Sequence, residues 1–148
     1  MTTASRITAE ADTLLDLLIE QCKDLESLLA LSRGETAAVE ARDFDEIIRI
    51  TSERATLGER LEVYHRQIAE MRQRLGAAAE TAMQSPTVTR IAELVNSVQA
   101  QDRQTQPLLL TVRQEVAHEQ QHLNQVQRGL TAYLNEGRIP AVACDQLA

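Results

Sequence analysis

The chain is expected to be all-α, with three long antiparallel helices forming an elongated coiled-coil-like bundle. Three observations predict it. Only 5 Gly and 3 Pro interrupt 148 residues, so turns are few. Aromatics are 2% against 43% apolar residues overall, so the core must be built from Leu, Ile, Val and Ala, which suits helix against helix. Apolar residues also recur at alternating spacings of three and four along most of the chain, the beat of a helix face.

The first helix is expected over about residues 7–41. Ala11, Leu14, Leu15, Leu18, Cys22, Leu25, Leu28, Leu29 and Val39 form its stripe. The stripe thins at Ser32-Arg33-Gly34-Glu35-Thr36, but one glycine costs only about 1 kcal/mol and forces no stop. Arg42-Asp43-Phe44-Asp45-Glu46 then marks a new start. Asp43 is suited to an N-cap, and Glu46 three positions later is placed to reach back and to put negative charge at the helix N-terminus.

The second helix is expected over about residues 44–84. Ile47, Ile50, Arg54, Leu57, Leu61, Tyr64, Ile68, Met71 and Leu75 keep one heptad line that only Arg54 interrupts. Gly76 is followed by helix-forming residues, and Ala78 and Ala82 would continue the seam. Ser85-Pro86 then predicts a third start, serine as N-cap and proline at the first helical position.

The third helix is expected over about residues 86–135. Val88, Ile91, Val95, Val98, Asp102, Thr105, Leu109, Val112, Val116, Glu119, Leu123, Val126, Leu130 and Tyr133 hold the beat without a slip. Pro107 removes a hydrogen bond and clashes with the preceding turn, at about 3 kcal/mol, so a kink is expected near it in a single bent helix. Asn135-Glu136-Gly137 and Pro140 predict a stop, leaving residues 136–148 as a tail of a single helical domain.

A net charge of −7, with Lys23 the only lysine and the arginines scattered, argues against nucleic acid as a partner. No run approaches the roughly 18 apolar residues of a membrane span. The start lacks the apolar stretch of a signal peptide, and a cytoplasmic location is expected. Cys22 and Cys144 lack metal-ligand spacing and read as plain thiols.

His118-Glu119-Gln120-Gln121-His122 fits H-E-x-x-H, in which two histidines one turn apart bind zinc and the glutamate activates water. Its context argues otherwise: Gln125 and Arg128 stand where a third-ligand motif needs Gly and His, and the heptad register sets the histidines off the seam. The Glu-x-x-His pairs Glu62/His65, Glu115/His118 and Glu119/His122 resemble di-iron bundle motifs, but Glu62 and His65 flank their seam. No catalytic residue, metal or cofactor is expected. Arg54, Asp102 and Glu119 are the polar seam positions; such residues set register or snorkel to the edge, or else leave an underpacked zone into which another helix inserts.

Leu28-Leu29-Ala30-Leu31-Ser32-Arg33-Gly34-Glu35, then Val39-Glu40-Ala41-Arg42-Asp43, then Ile47, Ile50, Glu53-Arg54, Leu57 and Leu61 resemble the FlgN family of flagellar export chaperones. Glu35, Asp43 and Arg54 stand where that family tends to have Glu, Asp and Lys. The resemblance covers about residues 14–75; beyond Ser85 it is one of length and periodicity, and Asp102 and Pro107 depart from the family pattern.

The resemblance implies a small acidic cytosolic chaperone that holds hook-associated flagellar proteins for the type III export apparatus. It implies that the C-terminal helical part engages the subunit's C-terminal amphipathic helix, which places partner binding on Leu123, Val126, Leu130, Tyr133 and Leu134. A helix laid in a groove through anchors at i, i+3, i+4 and i+7 is physically suited to such a face. The alternative is a structural or adaptor coiled coil whose seams serve self-association; a weak homo-oligomer is compatible with either.

Overall fold

The computed structural model describes the backbone of residues 2–147 and the side chains of residues 2–136. Helix α1 spans Thr3–Glu40, α2 Phe44–Leu75, a 3-10 turn Gly76–Ala79, a one-turn α3 Glu80–Met83, and α4 Pro86–Leu147. The three long helices are those expected, and every element among the described residues is helical.

α1 begins earlier than expected because Thr2 caps it, its hydroxyl accepting from the Ser5 amide at 3.3 Å. It runs without interruption through Gly34. The glycine has a packing reason: a Cβ there would lie 3.3 Å from Ile50 Cδ1 on α2, and Ile50 is almost fully buried.

The turn after α1 is closed by its own backbone. Arg42 takes the left-handed conformation, φ 53°; its amide donates to Val39 O at 3.1 Å, and the Asp43 amide donates to Ala38 O at 2.9 Å. These are the two bonds of a Schellman ending. The Arg42 side chain also donates to the Val39 and Glu40 carbonyls at 3.4 and 3.2 Å. Asp43 then caps α2 as expected, Oδ1 accepting from the Glu46 amide at 3.2 Å. The reciprocal half of the capping box is absent: the Asp43 amide is already engaged by Ala38, and the Glu46 carboxylate pairs with Arg49.

α2 ends at Leu75, well short of the expected residue 84. Gly76 adopts φ 54° and ψ −122°, open only to glycine, and its amide closes the last turn on Arg72 O. The chain then reverses through the 3-10 turn and α3, so that Ala79 and Ala82 are the buried alanines and Ala78 is half-buried. Pro86 is the first residue of α4, as expected. Ser85 does not cap through its side chain: Oγ is buried without a hydrogen-bond partner, and its carbonyl accepts from the Val88 amide at 3.1 Å instead.

α4 continues through Pro107 as one helix. It also continues past Gly137 and Pro140, where a stop was expected; glycine and proline raise the local cost of a helix without forbidding it. The side chains assigned to the C-terminal tail, including Cys144, lie outside the described residues.

The backbone divides into two units, Met1–Leu108 and Leu109–Ala148. In the first, the core has two apolar layers. Leu14 and Leu18 pack with Ile68, Met71, Ala79 and Ala82, and Leu25 and Leu29 pack with Leu94 and Val98. On α4 the inward residue is Leu94, 1% exposed, rather than the expected Val95, 37% exposed. Both fit a spacing of three and four after Ile91, and it is Leu94 that packs with Leu25 and Leu29. The second unit is the outer part of α4.

Candidate functional site

Toward the α1–α2 turn the core of the first unit becomes polar. The α1 seam residues Leu25, Leu29, Ser32, Thr36 and Val39 keep their spacing, but Ser32 and Thr36 replace leucines. Thr36 Oγ1 donates to Ser32 O at 3.1 Å, accepts from Gln101 Nε2 at 2.7 Å and lies 2.6 Å from Thr105 Oγ1. Thr105 Oγ1 also donates to Gln101 O at 2.9 Å, so two hydroxyl protons serve two carbonyls and the contact between the hydroxyls themselves. Ser32 Oγ is fully buried and has no hydrogen-bond partner among the described residues.

Beside this threonine pair lies an ion cluster. Arg54 Nη1 donates to Asp102 Oδ1 at 2.9 Å and Nη2 to Asp102 Oδ2 at 2.7 Å, while Nη1 also reaches Glu35 Oε1 at 3.1 Å. The hydrogen bonds to Asp102 hold the guanidinium above its ordinary pKa, against the opposing effect of burial. Glu35 and Arg54 are thus brought into contact, and Asp43 serves the turn. The expectation that Arg54 and Asp102 are polar seam positions holds, and they answer each other. A second inter-helix pair, Arg60 with the buried Asp24 at 3.0 Å, leaves Asp24 Oδ2 without a partner.

The outer part of α4 has the opposite character. From Arg113 to Glu136 every residue is exposed. Leu123 is 56%, Val126 54%, Leu130 57%, Tyr133 73% and Leu134 57% exposed, and Val116 belongs to the same stripe. At 3.6 residues per turn these six fall within an arc of about 100°. Val116 and Leu134 lie at one edge of that arc and Tyr133 at the other, an apolar face about as wide as the one by which a helix packs on its neighbours. Polar residues, among them Asn124, Arg128, Thr131 and Asn135, occupy the other side.

Glu119 lies in the stripe between Val116 and Leu123, while His118 and His122 lie beyond its edge. Among the described residues no group of three or more His, Cys, Asp or Glu side chains is arranged to hold a metal ion, so the H-E-x-x-H spacing acquires no third ligand from the fold. Cys22 is a free thiol, half-buried; burial first, and then the nearby Glu26 carboxylate, raise its pKa, with Arg90 opposing them. Among the described residues no helix is long and apolar enough to cross a membrane.

Comparison of the chain with protein-family models, with curated proteins and with solved structures finds no match.

Proposed function

We propose that the chain is an export chaperone of the FlgN type, which holds hook-associated flagellar proteins in the cytoplasm and delivers them to the type III export apparatus. One observation carries the proposal most: α4 presents Leu123, Val126, Leu130, Tyr133 and Leu134 to solvent on one arc. Apolar side chains so spaced fit an amphipathic partner helix through i, i+3, i+4 and i+7 anchors. An exposed stripe of this kind marks an interaction surface more often than a finished one. The resemblance of residues 14–75 to that family supplies the identity of the partner.

The test is calorimetric titration of the full chain with the C-terminal segment of a hook-associated protein. Binding is expected, and Val126→Asp or Leu130→Glu is expected to weaken it at least tenfold, a loss of about 1.4 kcal/mol or more, while the melting temperature stays within about 2 °C of the parent. Affinity unchanged in both variants would remove binding from this face.

The same exposed stripe also favours a second reading, an adaptor coiled coil that pairs with its own copies. Sedimentation separates the two: a tight dimer that Leu130→Glu dissolves, with no affinity for the hook-associated segment, belongs to the adaptor.

A further inference from the structure

We infer that Glu119 is a specificity residue of the α4 stripe, selecting a partner helix that carries an arginine or lysine within its own apolar seam. This rests on the reading of the stripe as a partner-binding face and states which helix it takes.

α4 places an acid in its seam twice. Asp102 is the first, and the chain shows how it is satisfied: Arg54 meets it with both terminal nitrogens at 2.7 and 2.9 Å. Arg54 is itself a seam residue of a neighbouring helix, with the buried Ile50 four positions before it and the half-buried Leu57 three after. Glu119 is the second acid. It stands three residues after Val116 and four before Leu123, where Asp102 stands four after Val98 and three before Thr105, but it is exposed and engaged by no hydrogen bond or ion pair among the described residues.

A helix laid on the stripe removes water from that carboxylate, and a carboxylate covered without a cation is strongly disfavoured. The occupant must therefore supply the cation. A second copy of this chain does not. Parallel pairing sets Glu119 beside the other Glu119, and antiparallel pairing with seams in register sets it opposite Leu123 or Leu130. The arginines of the described outer segment, Arg113 and Arg128, lie off the stripe. Charge complementarity assigns the stripe to a different helix, one that carries Arg or Lys in its seam with apolar residues three and four positions to either side, as Arg54 is flanked by Ile50 and Leu57.

The full chain is titrated with three synthetic helical peptides of roughly 20 residues, long enough for the stripe at 1.5 Å per residue. They carry leucine at every seam position except a central one, which is Arg, Glu or Leu. The Arg peptide is expected to bind at least roughly tenfold more tightly than the Glu peptide. Glu119→Lys is expected to reverse that order, and Glu119→Gln to bring the two peptides together, with no change in melting temperature since the side chain is exposed. Equal affinities for the Arg and Glu peptides, or an order that Glu119→Lys leaves intact, would overturn the assignment while leaving the stripe a binding face. Binding of none of the three would overturn the face as well. A dimer of the peptide-free chain that Leu130→Glu dissolves would give the stripe to a second copy and overturn the assignment.

Discussion

Arg54 on α2 and Asp102 on α4 meet as a two-point ion pair, with nitrogen to oxygen distances of 2.9 and 2.7 Å, and Glu35 on α1 joins them at 3.1 Å. One guanidinium thereby ties all three long helices of the first unit together. Bidentate geometry of this kind fixes distance and angle at once, so the cluster and the adjoining Thr36 and Thr105 hydroxyls set how far α4 slides along the hairpin.

Breaking the cluster from one side is costly because it leaves the buried Glu35 and half-buried Asp102 carboxylates uncompensated. Arg54→Met is expected to destabilise by about 1–3 kcal/mol, the low end reflecting partial exposure of Asp102. Replacing all three members together by apolar residues of similar size is expected to be near neutral or stabilising. Urea denaturation of the two variants checks both; a triple variant less stable than Arg54→Met would refute the account of the cluster as a register device that gives little net stability.

Gly34 permits the close approach of α1 and α2. With Ile50 Cδ1 only 3.3 Å from where a Cβ would stand, Gly34→Ala is expected to change stability by less than about 1 kcal/mol, since helix propensity gained and contact tightened oppose each other. Gly34→Leu is expected to cost about 2 kcal/mol by overpacking, and Ile50→Ala in the same chain to recover part of it. Thermal melts of the three variants decide the matter.

At the turn, Asp43→Ala removes the acceptor of the Glu46 amide and is expected to cost about 1 kcal/mol. Arg42→Ile places a β-branched residue at φ 53° and is expected to cost about 1–2 kcal/mol, with Arg42→Gly much milder. Equal losses for Ile and Gly would show that the arginine side-chain hydrogen bonds, rather than the backbone conformation, hold the turn.

Cys22 should be slow to alkylate. Burial and Glu26 raise its pKa, so less thiolate, the reactive form, is present at a given pH. Its rate is expected to rise along a profile displaced to higher pH than that of the urea-unfolded chain. Peptide mapping after iodoacetamide treatment reads Cys22 separately from Cys144; coincident folded and unfolded profiles would contradict the assignment.

The long helices and the hairpin were legible because their signals are local. The seams repeat within a few residues, and the Asp43 cap needs only its own turn. What stayed hidden depends on register between distant segments. Arg54 and Asp102 were visible as polar seam residues, but their pairing across 48 positions, and that of Thr36 with Thr105 across 69, follows only once the helices are aligned. A signal for the second was present: Ser32 and Thr36 keep the spacing of Leu25, Leu29 and Val39, so the stripe turns polar in register instead of thinning. The end of α2 was missed because Gly76 adopts a conformation that helix propensity does not register, and Leu94 was exchanged for Val95 because both spacings are helical. The outer stripe of α4 was legible as a run of apolar residues at helical spacing, but not its exposure, which depends on how far the neighbouring helices reach.

Amide hydrogen exchange on the full chain, alone and with the C-terminal segment of a hook-associated protein bound, tests the central claim most directly. New protection confined to about residues 116–134, with the first unit unchanged, is the result predicted. Protection that appears on α1 and α2 and leaves residues 116–134 exchanging as in the free chain would contradict it.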